Sequence, residues 1–113
     1  MSELDSRSFE VSVADLKRRI DAAQPARLID VREPVEFATA RIEGSELIPM
    51  GTVPHRLQEL EAIEDPIVLI CHHGIRSLRV AAWLREQGVE NCWSLAGGIE
   101  RWSLEADPTV PRY

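Results

Sequence analysis

Lysine, cysteine and long apolar runs are all scarce in this 113-residue chain. Lys17 is the one lysine among 13 basic residues, against 19 acidic ones, for a net charge of −6. Nothing in the sequence explains the preference for arginine. An acidic balance argues against nonspecific nucleic-acid binding, which selects basic surfaces. No apolar run approaches the roughly 18 residues a membrane span needs. Met1-Ser2-Glu3-Leu4-Asp5 has neither the basic start nor the apolar core of a signal peptide, so a cytoplasmic protein is expected. Cys71 and Cys92 could pair, but in a cytoplasmic chain free thiols are the expectation. There is no Cys-x-x-Cys pair of the kind that holds zinc. Internal repeats, low-complexity segments and linkers are also missing. With no heptad or long apolar stripe to demand assembly, a monomer is expected.

What is present fits one ordinary folded domain over residues 1–113, with its core at about 9–107. The composition is 44% hydrophobic and 28% charged, as in globular proteins, and the length suffices for a core. Phe9-Glu10-Val11 reads as a short strand. Ser12 or Asp15 can start a helix with Val13, Leu16 and Ile20 at helical spacing. Residues 27–31 read as a second strand, and Pro34 suits the first turn of a short helix from Glu33. Residues 46–48 form a short strand ended by Pro49. A helix is expected next, with Val53, Leu57, Leu60 and Ile63 on one face and Pro54 in its first turn. Ile67-Val68-Leu69-Ile70 is continuously apolar, as in a strand covered on both faces. A helix over 76–87 ends at Gly88, a natural residue to follow a helix. Residues 91–95 form a last strand, Gly97-Gly98 turns the chain, and a short helix covers 99–104. Pro108 and Pro111 mark an irregular tail. Such alternation argues for an α/β fold with a central parallel sheet of about five strands and helices on both faces.

In sheets of this kind, sites lie beyond the carboxyl ends of the strands. Cys71 stands there, at the end of the most apolar strand. It is followed by His72, His73, Gly74, Ile75, Arg76 and Ser77, where the next helix begins. Loop N–H groups and a helix N-terminus favour a negative charge, and the thiolate is the nucleophilic form of cysteine. Between Asp65 and Glu86 there is no acidic residue, while Arg76, Arg79, Arg85, His72 and His73 all fall there. This concentration of positive charge is expected to attract anions and to hold Cys71 as a thiolate at neutral pH. Four residues separate Cys71 from Arg76. Five would cradle a tetrahedral phosphate; four give a tighter ring suited to a single terminal sulfur.

The loop resembles that of the rhodanese family of sulfurtransferases in its small single-domain form. So do three other segments in the same order: Leu28-Ile29-Asp30-Val31-Arg32-Glu33-Pro34-Val35-Glu36-Phe37, Arg41-Ile42-Glu43-Gly44-Ser45-Glu46-Leu47-Ile48-Pro49, and Leu95-Ala96-Gly97-Gly98-Ile99-Glu100-Arg101-Trp102. The chain departs from the family's frequent Gly-His-Ile-Pro-Gly-Ala at Ala40-Arg41-Ile42-Glu43-Gly44-Ser45, a mainly structural segment. The resemblance implies a three-layer rhodanese-like fold and a covalent two-step transfer. Cys71 would take the outer sulfur of a small anionic donor such as thiosulfate. Loop N–H groups from His72 to Arg76 would surround that sulfur, and Arg76 would hold the loop and attract the donor. Cyanide, a thiol or a protein acceptor would then remove the sulfur. No metal or organic cofactor is implied.

Two alternatives stand beside this. One is a persulfide carrier that moves sulfur between proteins with little small-molecule turnover. The other is a cysteine-dependent phosphatase or arsenate reductase, which the loop length disfavours. Asp30 and Arg32 read as a structural pair, and Cys92 as a core thiol that could alternatively resolve a persulfide. Trp83, Trp93 and Trp102 read as packing residues. His55 reads as a solvated helix residue, and His72 and His73 as loop spacers rather than metal ligands.

Overall fold

The computed structural model describes residues 4–113. Met1, Ser2 and Glu3, which begin the segment judged to lack signal-peptide character, lie outside the described residues. Five parallel strands run β1 (Glu10–Val11), β2 (Arg27–Asp30), β3 (Glu46–Leu47), β4 (Ile67–Ile70) and β5 (Cys92–Leu95), in the spatial order β1-β5-β4-β2-β3. Parallel neighbours need crossovers. These are supplied by α1 (Val13–Asp21), α2 (Pro34–Thr39), α3 (Leu57–Glu61) and α4 (Ile75–Glu86); α5 (Gly98–Glu105) follows β5. No helix among the described residues is long and apolar enough to cross a membrane.

Side chains alternate across a strand, and β4 divides accordingly. Val68 and Ile70 join the layer of α1 and α5 with Leu16, Ile99 and Trp102. Ile67, Leu69 and then Cys71 join the opposite layer with Leu60, Val80, Ala81 and Leu84. The alternation therefore points Cys71 beneath α4. Ser12 caps α1 by accepting the Asp15 N–H at 3.0 Å, which settles which of the two candidates begins that helix.

One expected helix differs. Residues Met50–Arg56 form a 3-10 helix, and the α-helical turn α3 starts only at Leu57. Pro54 lies inside the 3-10 segment rather than in a first α-turn. It has no N–H to donate and its ring obstructs an α-helical turn before it, so the tighter helix takes that stretch. Ile63 falls beyond α3 but still packs on the α4-side core. The other boundaries agree within a residue or two.

Among the described residues, the one buried ion pair joins Asp30 and Arg32, both fully buried. Arg32 donates from Nε and Nη2 to the two carboxylate oxygens at 2.8 and 2.7 Å. Its remaining donors reach the carbonyls of Ala40 (2.5 Å) and Glu36 (3.4 Å) and the hydroxyl of Tyr113 (2.7 Å). Every guanidinium donor is used, and β2, α2 and the tail are tied at one point. Removing one partner of such a pair strands a buried charge. Asp30→Ala is expected to cost about 3–5 kcal/mol in urea denaturation, and replacing both residues by Leu and Met far less. A loss under about 1 kcal/mol in the single variant would contradict this reading of the pair.

Candidate active site

Cys71 follows the last residue of β4 and is 1% exposed. Its Sγ accepts the Gly74 N–H at 3.0 Å, the Ser77 N–H at 3.3 Å and the Ser77 hydroxyl at 3.3 Å. The Ser77 N–H is one of the free donors in the first turn of α4, at the positive end of the helix. Within the stretch from His72 to Arg76, Gly74 is the residue whose N–H reaches the sulfur. It needs a left-handed backbone to do so, φ +97°. Its missing side chain also matters, because a Cβ there would stand 3.1 Å from Gly97 N and 3.3 Å from Leu95 O.

The loop's carbonyls turn the other way. Cys71 O accepts the Ile99 N–H at 2.9 Å, and His72 O accepts the Glu100 N–H at 3.1 Å. The first turn of α5 therefore grips the outside of the loop. Gly98 allows this approach: a Cβ at that position would lie 2.4 Å from His72 O and 2.5 Å from Cys71 O.

A second layer reaches the sulfur through Ser77. Ser94 on β5 is fully buried and lies 2.7 Å from Ser77 Oγ and 3.4 Å from Gly74 O. Against a thiolate, Ser77 gives its proton to sulfur and accepts the proton of Ser94. Against a thiol, the sulfur donates to Ser77, Ser77 to Ser94, and Ser94 to the Gly74 carbonyl. Either sulfur state is met by a filled hydrogen-bond chain. Sequence reasoning named Ser77 and missed Ser94, although strand alternation from Cys92 places it on the α4 side.

The expected concentration of free positive charge is not what forms. Arg76 pairs with Glu36 through two bonds, Nη1–Oε1 at 2.8 Å and Nη2–Oε2 at 3.0 Å. Arg85 turns away, donating to the carbonyls of Cys92 and Ser8 and lying over the rings of Phe9 and Trp93. Arg79 is exposed, lines a groove with Met50, Val53 and Trp83, and makes no ion pair among the described residues. The reason is tertiary: a carboxylate 40 residues earlier in the chain neutralises Arg76. Its hydrogen bonds from Arg76, and further ones from the Glu33 N–H and the Tyr113 hydroxyl, hold the Glu36 carboxyl down at about 2.

His72 is sandwiched between the rings of His73 and Tyr113, each centroid 3.9 Å away. Burial, and then the neighbouring His73, push its imidazolium below the ordinary range, so it is neutral at pH 7. Its Nε2 stands 3.9 Å from Glu100, beyond hydrogen-bond reach. His72, His73 and Glu100 place nitrogen and oxygen atoms within 4.8 Å of one another, as a metal site would. Stacked rings, however, carry their in-plane lone pairs side by side, and Arg112 already holds Glu100. Cys92 is a free, buried thiol against the Val89 and Ala81 carbonyls, pushed up by burial. Trp93 and Trp102 are buried packing residues; Trp83 is half-buried.

Comparison with known proteins gives a consistent picture. The family model for the rhodanese-like domain matches residues 12–105. A rhodanese-like/PpiC domain-containing chloroplast protein of Arabidopsis thaliana is 41% identical over 92 residues, covering 78% of this chain but only 30% of that protein's length. A putative sulfurtransferase of Bacillus subtilis is 37% identical over 99 residues, 88% of this chain and 94% of that one. Among solved structures, a rhodanese-related protein of Thermoplasma volcanium superposes with a TM-score of 0.75 at 32% identity, covering 92% and 98% of the two chains.

Two measurements check the site's geometry. Ser94→Ala should slow iodoacetamide alkylation of Cys71 at pH 7 about fivefold, the worth of one hydrogen bond; an unchanged rate would detach Ser94 from the sulfur. Glu36 has a lowered carboxyl, so its stabilisation is present above pH 4.5 and is lost as pH falls toward about 2. Relative to Glu36→Gln, the protein should be more stable by about 2 kcal/mol at pH 7, a margin that shrinks between pH 4.5 and 2. A margin constant with pH would refute that role.

Proposed function

The chain belongs to the rhodanese-like domain family, and from that premise we propose that it is a sulfurtransferase working through a persulfide on Cys71. The observation that carries this is the triple donation to Cys71 Sγ from Gly74 N–H, Ser77 N–H and Ser77 O–H. Three aligned dipoles around one sulfur stabilise a thiolate, and the same set suits the negative sulfur of a persulfide.

In the first step the Cys71 thiolate attacks the outer sulfur of a donor such as thiosulfate. A new S–S bond forms, and the donor's own S–S bond breaks with sulfite leaving on the electron pair. Cys71 is 1% exposed, so an acceptor meets the outer sulfur, displaced outward by one S–S bond of about 2.05 Å. In the second step a thiolate or cyanide attacks that sulfur and leaves as persulfide or thiocyanate. The bond electrons return to Cys71 as thiolate, so the protein ends as it began and no external oxidant or reductant is needed. Arg76 serves mainly as a strut, because Glu36 balances its charge. A reducing cytoplasmic setting suits both free thiols.

A carrier reading, in which donor and acceptor are both proteins, draws on a different observation. Val35 is 73% and Ile75 65% exposed; they immediately precede Glu36 and Arg76, which meet at the site. Cyanide and thiosulfate have no use for such apolar surface.

Intact-protein mass spectrometry before and after thiosulfate, and again after cyanide, tests the mechanism. One sulfur atom should be gained, map to Cys71, be absent in Cys71→Ser and be released as thiocyanate. Failure to gain sulfur from thiosulfate and from a protein persulfide alike would sink the proposal. Gain from the protein donor alone would select the carrier.

A further inference from the structure

The outer face of α4 begins at the candidate site and carries an arrangement the chemistry of Cys71 does not use. Ile75, Leu78 and Arg79 occupy positions i, i+3 and i+4, and Trp83 follows at i+8, so they share one helix face. Ile75 and Leu78 are exposed apolar side chains. Further along, Arg79, Val80 and Trp83 form one wall of a groove whose other wall is Met50, Val53 and Pro54 of the 3-10 helix. Met50 ties this wall to the strand that leads into Cys71: its N–H bonds Val31 O, and the Val31 N–H bonds Ile70 O.

The groove holds about 220 Å³, below the roughly 300–1,000 Å³ of small-molecule sites. That is room for a side chain, not for a cofactor. Its lining is apolar except for Arg79, which is exposed and has no carboxylate partner among the described residues. An unpaired arginine on an apolar groove, in a chain of net charge −6, selects an anionic partner group.

We infer that this stripe and groove dock the polypeptide segment that carries the acceptor thiol, placing an apolar side chain between Met50 and Trp83 and a carboxylate on Arg79. The inference rests on the sulfur-transfer reading and names its acceptor class: an acidic, apolar-bearing protein segment rather than a free small thiol. The spacing fits. From Ile75 to Trp83 the helix rises about 12 Å, which an extended segment spans in three or four residues. The docked side chain would therefore stand that far from the acceptor cysteine.

The test uses persulfide-loaded protein and three acceptors: N-acetylcysteine, acetyl-Cys-Ser-Gly-Asp-Leu-amide and the same peptide with Lys-Ser in place of Asp-Leu, with the peptides also made in reversed order. One order of the Asp-Leu peptide should accept sulfur with a kcat/KM at least tenfold above the other two acceptors. Arg79→Glu should lower that advantage at least fivefold and leave transfer to N-acetylcysteine within twofold. Equal rates for all acceptors would overturn docking while leaving sulfur transfer intact. Should Cys71 form no persulfide, a titration with the peptide bearing Ser for Cys still decides. Shifts of the Trp83 indole N–H signal by NMR, assigned with Trp83→Phe, support the surface. No shift at millimolar peptide refutes it.

Discussion

The carbonyls of Cys71 and His72 are drawn away from the sulfur by the N–H groups of Ile99 and Glu100, at 2.9 and 3.1 Å. The rest of the site depends on this clamp. A peptide plane has one N–H and one C=O on opposite edges. Fixing those two carbonyls on the outside turns the His72 and His73 N–H groups, on the opposite edges of the same planes, inward, and the next N–H along, that of Gly74, reaches Sγ. Side-chain bulk would abolish the clamp at one point, Gly98, where a Cβ would collide with both carbonyls. The Gly97-Gly98 turn thus shapes the loop although it follows Cys71 by more than 25 residues. α5 contributes the complementary resource: its first N–H groups have no partner within their own helix, so the loop's carbonyls satisfy the helix as much as the helix holds the loop.

Strand alternation supplies the second constraint. Ile67, Leu69 and Cys71 face the α4 layer, as do Cys92 and Ser94 from the neighbouring strand. Placing a hydroxyl on that buried face would ordinarily be unfavourable. Here Ser94 is satisfied by Ser77 and Gly74, and it completes a hydrogen-bond chain ending on sulfur. The site's support therefore comes from neutral dipoles held by packing, while the charges of Arg76 and Glu36 are matched to each other.

Much of this was legible in residue patterns, and the exceptions have physical reasons. The strands and helices follow from apolar spacing, Ser12, Pro34 and Gly88, which act locally. Cys71 and its loop follow from their place after an apolar strand. Pro54 is an exception: proline is tolerated in a first α-turn, but here the residues on both sides of it continue as a 3-10 helix, which no local spacing distinguishes from an α-turn. The part played by Glu36 is not legible locally, since its partner Arg76 lies 40 residues away and nothing in either local pattern pairs them. Tyr113 sat in what read as an irregular tail. Its ring covers His72 and its hydroxyl bridges Arg32 and Glu36, contacts spanning most of the chain. Arg85 shows the converse error. Proximity in sequence to Cys71 suggested a shared patch, but eight or nine residues along a helix from the loop carry a side chain about 12 Å away.

The charge balance bears on what such a site can select. A dianionic donor approaching a free arginine would gain a long-range attraction. With Glu36 bonded to both ends of Arg76, much of that attraction is cancelled, and His72 is neutral at pH 7. What survives close to the sulfur is short-range: N–H and O–H dipoles that reward a single polarisable atom in a tight ring. Short-range recognition of one atom says little about the molecule that bears it. Discrimination among sulfur donors and acceptors then falls to the surface outside the ring. On that surface the structure presents exposed apolar side chains and Arg79, which has no carboxylate partner among the described residues.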